Sequence, residues 1–269
     1  MTFFEGFILA VLQGLTEFLP ISSSGHLVLA QVLFGIKEPT LSYDLFLHFG
    51  TQIAVILYFW PRLKRLFSLL FSKKNSNENL IKRWKDVLIP IFFVTLPVVL
   101  VGIFVAERVE KIFYTAKYLP FTYLFTAILL LTTKFVKLKS LKLKWVGLSL
   151  LKSLFIGIFQ AVSTLPGISR SGATIAGGLY VGLKPKDAFE FSFFAGLISI
   201  TGSFIFEILK NGNIIFFDVF QIVNTFVAAI CGYLVLRLLG NLIKSGKLWI
   251  FSIYCFVMCI TSLMVWLKL

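Results

Sequence analysis

Long apolar stretches alternate with short polar ones along this chain, and the apolar stretches share a length. Runs of roughly 18 to 22 residues, about what a helix needs to cross the hydrocarbon core of a bilayer, fall at 43–60, 87–106, 119–136, 188–208, 217–238 and 248–267. They predict six transmembrane helices. Two further apolar regions, 1–36 and 145–183, are each interrupted by a polar, proline-containing break, "LPISSSG" in the first and "TLPGISRSG" in the second.

Composition supports this reading. The chain is 58% hydrophobic and 14% charged, with 31 Phe and a mean hydropathy of +0.92, too apolar for a soluble domain of this length. A single integral membrane domain over 1–269, all-α and polytopic, is expected. No Lys or Arg precedes Lys37, and Glu5 is acidic. The positive n-region of a cleaved signal peptide is therefore missing, and the N-terminus is expected to belong to the mature protein. Cys231, Cys255 and Cys259 lie in apolar runs at a spacing that matches no zinc or disulfide framework; they are expected as small buried side chains.

The formal charge of +14 could suggest nucleic acid, but its placement points to the membrane. Residues 61–86 hold eight Lys or Arg against two acids, 134–152 six against none, and 237–247 three against none. The segments 37–44, 106–118 and 207–218 are nearly balanced, with one base and two acids, three and two, and one and two. Basic loops stay in the cytoplasm, so the charge reads as topology. Lys73 and Lys74 of "SKKNSNEN" then form a solvated loop facing anionic lipid.

The two breaks are related. "QGLTEFLPISSSG" at 13–25 aligns without a gap on "QAVSTLPGISRSG" at 160–172, a spacing of 147 residues that pairs Gln13 with Gln160, Ile21 with Ile168, Ser22 with Ser169, Ser24 with Ser171 and Gly25 with Gly172. The register continues to Gly35/Gly182 and Lys37/Lys184. This is an internal duplication. With the basic loops inside, 1–36 must start and end outside, and 145–183 must start and end in the cytoplasm. Each therefore reads as a re-entrant helix pair. The fold predicted is an inverted-topology repeat, about 1–137 and 145–269, with six transmembrane helices, two re-entrant pairs and broken helices meeting near the midplane. Irregular backbone at that depth needs protein or a water-filled cavity to satisfy it. The competing reading has long uninterrupted spans at 1–36 and 145–183.

Each break precedes an apolar helix and is rich in serine: Ser22, Ser23 and Ser24 before Gly25, then Ser169, Arg170 and Ser171 before Gly172. Serine caps helix starts, and the free N–H groups there suit phosphate. Arg170 is the only base between Lys152 and Lys184 and could grip phosphate bidentately; the structural alternative pairs it with Glu17 or a carbonyl. Gln13 and Glu17, spaced i, i+4, share a helix face and could offer oxygens to Mg2+ or Ca2+. Glu17 could instead deprotonate a serine, or cap the interrupted backbone. His26 follows the serines and is a candidate acid/base. Together these residues suit phosphoryl transfer, with Ser23 the first choice of nucleophile and Ser22 the next. His48 lies about four residues from Asp44 near the outer end of a span; a pair at the membrane interface and a role in the site are both open, and it is left out of the candidate set.

"QGLTEFLPISSSGH" and "PGISRSG" resemble the (E/Q)xxxE, PxSSxGH and PGxSRSG signatures of the undecaprenyl-diphosphate phosphatases of the bacitracin-resistance type, and the likeness runs through "HFGTQIAVILYFW" and essentially the whole chain. The resemblance implies removal of the terminal phosphate of undecaprenyl diphosphate, a divalent-cation requirement and a place in the bacterial cytoplasmic membrane. It puts Gln13 and Glu17 at the (E/Q)xxxE positions, Ser22, Ser23 and His26 in the first signature, and Ser169 and Arg170 in the second. Position 13 is Gln rather than Glu, which weakens a two-carboxylate metal site; Ser163 and Thr164 make the second break more polar than is common. The reaction is expected on the outer face, with the isoprenoid tail along the Phe-rich surface. A transporter is the competing class, because inverted repeats with broken helices also build carriers. Nothing in the sequence speaks to oligomeric state, and a homodimer stays open.

Overall fold

The computed structural model describes residues 1–36, 41–71, 80–105, 116–211, 219–244 and 246–268. Lys37, Lys73 and Lys74 lie outside them. Among the described residues the chain is helical apart from turns and one isolated bridge between Leu143 and Leu183. The helices are α1 Phe3–Thr16, α2 Ser23–Leu33, α3 Leu41–Phe71, α4 Leu80–Phe104, α5 Leu119–Thr132, α6 Leu150–Val162, α7 Arg170–Tyr180, α8 Pro185–Asn211, α9 Val219–Lys244 and α10 Phe251–Lys268.

Each of the six apolar runs falls on a helix. Four segments are long and apolar enough to cross a membrane, Ile81–Phe104, Pro185–Phe206, Val219–Gly240 and Leu248–Lys268, while Phe3–Thr16, Leu119–Phe135 and Leu150–Val162 are shorter apolar helices. The chain is accordingly a polytopic membrane protein. Its outward faces are apolar, with Phe92, Phe104, Phe121, Leu151, Leu238 and Leu267 all more than half exposed. A lipid solvent explains this, since water would penalise so continuous an apolar surface. Of the three cysteines, Cys255 is buried, Cys231 and Cys259 are half-buried, and all are free.

Local chemistry explains why regions 1–36 and 145–183 are helix pairs rather than single spans. α1 opens with a capping box, in which Thr2 Oγ accepts from the Glu5 N–H at 3.2 Å and the Glu5 carboxylate accepts from the Thr2 N–H at 2.6 Å. Pro20 has no N–H to continue the helix, and the chain turns over residues 17–22 before Ser22 caps α2. In the second region Pro166 and Gly167 end α6 in the same way, and Ser169 caps α7. α2 packs back on α1, and α7 on α6. The bounds of α6 and α7 stand 147 residues after those of α1 and α2 to within one position.

Packing follows the same correspondence. α1 lies against α9 and α6 against α4, so the first arm of each pair rests on a long helix of the other half. α5 and α10 pack on each other. The second arms are the most enclosed elements: Ser171 through Leu179 of α7 are buried without interruption, and α2 buries Ser23, Gly25, His26, Leu27, Val28, Leu29 and Gln31. Both breaks therefore sit at the centre of the molecule.

Candidate active site

At each break a serine hydroxyl accepts a backbone N–H from the first turn of the following helix. Ser22 Oγ takes that of Gly25 at 3.3 Å, and Ser169 Oγ takes that of Gly172 at 3.1 Å. The breaks also hold each other: the Gly167 N–H donates to Ser22 Oγ at 3.0 Å, and the Ser171 hydroxyl donates to the Leu19 carbonyl at 3.3 Å. Ser22 makes these bonds from a left-handed backbone, φ 66°, which costs a non-glycine residue about 1–2 kcal/mol. The two N–H groups on its hydroxyl keep it there. Gly167 has φ 92°, and a side chain at this position would run into Thr122.

Glu17 is the hub. It ends α1, is 7% exposed, and uses both carboxylate oxygens. Oε2 accepts from the Ser23 hydroxyl at 2.6 Å and from Gln13 Nε2 at 3.1 Å, with His48 Nδ1 at 3.3 Å. Oε1 accepts from Arg170 Nη2 at 3.1 Å. Arg170, on α7, also donates to the Ser192 carbonyl at 3.3 Å and lies over the Phe193 ring, 6.0 Å from its centroid. Gly196 makes room for it, since a Cβ there would overlap the guanidinium. A cavity of about 200 Å3 opens between the breaks, lined by Glu17, Ser22, Ser23, Ser24, Ser169 and Arg170 together with residues of α3, α6 and α8.

The sequence-predicted residues divide accordingly. Gln13, Glu17, Ser23 and Arg170 form one hydrogen-bonded group. Ser22 and Ser169 line the cavity but commit their oxygens to capping. Ser24 lines the cavity and contacts Ser22 Oγ at 3.3 Å. Gly25 and Gly172 give their N–H groups to the caps, which leaves the amides of Ser23, Ser24, Arg170 and Ser171 as the first-turn donors with no helical partner. The Ser171 side chain is buried between the breaks and does not line the cavity.

His26 is placed differently from the expectation of an acid/base group facing the cavity. Its Nδ1 lies 2.6 Å from the Ser22 carbonyl and 3.0 Å from the Tyr123 hydroxyl, and its Nε2 lies 2.8 Å from the Tyr254 hydroxyl. Both ring nitrogens are engaged behind the serine turn. In this geometry the Ser22 carbonyl and the two tyrosine hydroxyls take up both nitrogens.

The omission of His48 from the candidate set is corrected. His48 lines the cavity, 2.8 Å from Gln13 Nε2, while Asp44 accepts both bonds of the Gln31 amide at 3.0 and 3.1 Å. The signal was available: an ionisable residue inside a spanning run is a functional candidate by default, and "DLFLHFGTQ" places His48 one turn into its run. Tyr123 and Tyr254 gave no such signal, because an aromatic residue in an apolar helix is ordinary.

Gln13 and Glu17 are the oxygen donors that a hard divalent cation could use, though Gln13 presents Nε2 rather than Oε1 to Glu17. Gln13 Oε1 is buried without a partner, and the Glu17 carboxylate lies one turn on. Among the described residues no three His, Cys, Asp or Glu side chains could hold a metal by themselves. Oxygens of this number and type fit an ion that completes its shell with phosphate and water, as Mg2+ does, rather than an all-protein cage.

Relatives align with this chain over nearly their whole length. An undecaprenyl-diphosphatase of Methanobrevibacter smithii is 37% identical over 98% of this chain and 98% of its own. One of Desulforapulum autotrophicum is 36% identical, also over 98% of each chain, and one of Thermosipho africanus is 37% identical over 96% of this chain and 98% of its own. The family described as bacitracin resistance protein BacA matches residues 6–261, a span that contains both breaks, the cavity and every helix that lines it, and the chain belongs to that family.

Proposed function

We propose that this chain hydrolyses undecaprenyl diphosphate to undecaprenyl phosphate and inorganic phosphate, and so recycles the carrier lipid of cell-wall synthesis and confers bacitracin resistance. The observation that carries the reading is the Ser23 hydroxyl on a buried carboxylate, 2.6 Å from Glu17 Oε2, with Arg170 held by the other oxygen of the same group. A binding site for an anion needs the arginine. It has no use for a serine already donating to a base.

The steps follow from these contacts. The terminal phosphate enters between Arg170 and the first-turn N–H groups of α2 and α7, which stabilise charge on the transferring group. Ser23 Oγ attacks the terminal phosphorus while its proton passes to Glu17 Oε2. The Oγ–P bond forms, the bridging O–P bond breaks, and the bridging oxygen leaves with the lipid monophosphate. His48 and Gln13 hold the carboxylate in line with Ser23, and His26 holds the serine turn from behind. Gln13 and Glu17 would hold the divalent cation, which when bound neutralises phosphate charge.

The fold we assign is an inverted-topology repeat of two halves, each with a re-entrant pair and three spans. The shared bounds of the two pairs and the reciprocal packing of α1 on α9 and α6 on α4 support it. In this reading the basic segments 61–86 and 134–152 face the cytoplasm, the first pair enters from outside and the reaction lies on the outer face of the cytoplasmic membrane. The apolar faces of α4, α5 and α10 accommodate the isoprenoid tail.

The test is phosphate release by the detergent-purified protein from a long-chain isoprenyl diphosphate, with and without EDTA, beside Ser23→Ala and Arg170→Ala. Cation-dependent release that both substitutions abolish is expected. No release by folded wild-type protein supplied with Mg2+ or Ca2+ would remove the enzyme reading and turn attention to lipid or ion flux in liposomes.

A further inference from the structure

By chemistry the cavity lining divides into two halves. One holds Glu17, Ser23, His48 and Arg170; the other is lined by Gln160, Ser163 and Thr164 at the end of α6 and by Ser199 and Ser203 of α8, and carries no ionisable group. Gln160 is the equivalent of Gln13 in the repeat and is 1% exposed. Its Nε2 donates to the Val94 carbonyl at 3.2 Å. That bond fixes the amide orientation, because the opposite one would set two oxygens against each other. Gln160 lines the cavity, and its Oε1 is left buried without a protein partner.

The neighbouring hydroxyls are committed in one sense. Ser163 donates to the Gln160 carbonyl at 2.6 Å, Thr164 to Ala161 at 2.8 Å, Ser199 to Gly196 at 3.3 Å and Ser203 to Ser199 at 3.0 Å. With their protons turned to the backbone, they show the cavity lone pairs. This half is therefore an uncharged surface of acceptors around an orphan amide oxygen. Phosphate oxygens, being acceptors themselves, gain nothing there. A donor is required, and a buried acceptor left unmet is costly. The volume of about 200 Å3 is several times the roughly 30 Å3 that a water molecule takes in the liquid.

We propose that this half is the site of the hydrolytic water, and that Gln160 Oε1 accepts a hydrogen bond from that water and orients it toward the phosphorus. The inference rests on the reading of Ser23 as the nucleophile. In the second step the water oxygen forms a bond to the phosphorus of phosphoseryl-23, and the Oγ–P bond breaks. Ser23 Oγ takes back the proton held by Glu17, and the product leaves as dihydrogen phosphate carrying both protons of the water. The charged half thus makes the phosphoenzyme, and the uncharged half resolves it. Such a division also fits Thr164 in the second break where the first has Glu17, because a second carboxylate beside the water would repel the phosphate it attacks.

The experiment separates the two steps. A long-chain isoprenyl diphosphate labelled on its terminal phosphate is mixed with enzyme in detergent and quenched at successive times, and lipid monophosphate, free phosphate and protein-bound label are measured separately. For Gln160→Leu a burst of lipid monophosphate about equal to the enzyme is expected. The label stays on the protein, and free phosphate appears roughly tenfold or more slowly, the scale of one hydrogen bond lost to a reacting water. Thr164→Val keeps the shape of the site and is expected to shift the same balance in the same direction by less, which keeps the test usable if the leucine variant does not fold. Equal slowing of both products without protein-bound label, or no slowing in either variant, would overturn the inference while leaving Ser23 in its role. A requirement for Na+ over choline at constant ionic strength would overturn it by assigning the acceptors to a monovalent cation. Continued hydrolysis by Ser23→Ala would show that the underlying reading had failed, and the inference with it.

Discussion

The Ser23 hydroxyl and the Glu17 carboxylate meet at 2.6 Å across a break in the helix that separates them. Among the described residues no other serine donates to Glu17 and no other carboxylate accepts from Ser23. They are expected to act as a unit: Ser23→Ala should lower kcat/KM by about 10³-fold or more, and Glu17→Gln by roughly 10²- to 10⁴-fold. The double substitution should be little worse than the more damaging single one, because groups that work on one proton are not additive. Additive losses, measured as kcat/KM for phosphate release, would mean that the two residues serve different steps.

Arg170 owes its position to a hydrogen atom. A Cβ at Gly196 would occupy the place of the guanidinium, and the side chain, being long, can swing away without disturbing the helix. Gly196→Ala should therefore behave as an arginine variant: kcat/KM lower by about 10²-fold, the cost of a lost charged hydrogen bond, with a Tm near that of wild type. Full activity in the alanine variant would show that the observed pose of Arg170 is not the working one.

Gly167 and Gly35 both have φ in the left-handed region, 92° and 71°, yet their surroundings differ. At Gly167 a side chain would strike Thr122, whereas at Gly35 nothing lies within 4 Å of the added atom. Gly35→Ala should cost only the backbone term, about 1 kcal/mol. Gly167→Ala adds steric overlap at the junction of the two breaks and should lower stability by roughly 3 kcal/mol or more. Unfolding in detergent, followed by thermal shift, distinguishes the two, and equal shifts would contradict the junction described.

Gln13→Glu supplies the second carboxylate that the site lacks. With Gln13 Nε2 now 3.1 Å from Glu17 Oε2, a glutamate at this position would put two acidic groups together, an arrangement that a divalent cation relieves. The half-maximal Mg2+ concentration for phosphate release should fall severalfold. An unchanged cation dependence would place the ion elsewhere on the substrate.

Much of this was legible before any coordinates. Helix periodicity and the positions of Pro20 and Pro166 located the breaks, and the spacing of Gln13 and Glu17 put them on one face, because both are local properties of the backbone. The relation of the two breaks was legible too, since Ser22 and Ser24 recur as Ser169 and Ser171 at one spacing. What the sequence could not show was direction. His26 and His48 are equally polar residues in equally apolar surroundings, and only the packing of α3 and of Tyr123 and Tyr254 decides that one faces the cavity and the other its rear wall. The unequal halves of the cavity were written in the exchange of Glu17 for Thr164, but their meaning depended on knowing where each hydroxyl sends its proton.

The bond from the Gly167 amide to Ser22 Oγ closes a loop of 145 residues. Closure over such a distance is slow and carries a large entropic cost before any contact rewards it. During synthesis the first helix pair must therefore wait, its serines and carboxylate without their final partners, until α6 and α7 have been made. The cavity is the last thing this protein makes of itself, and a chain stopped in its first half holds Ser23 and Glu17 without the Arg170 that joins them.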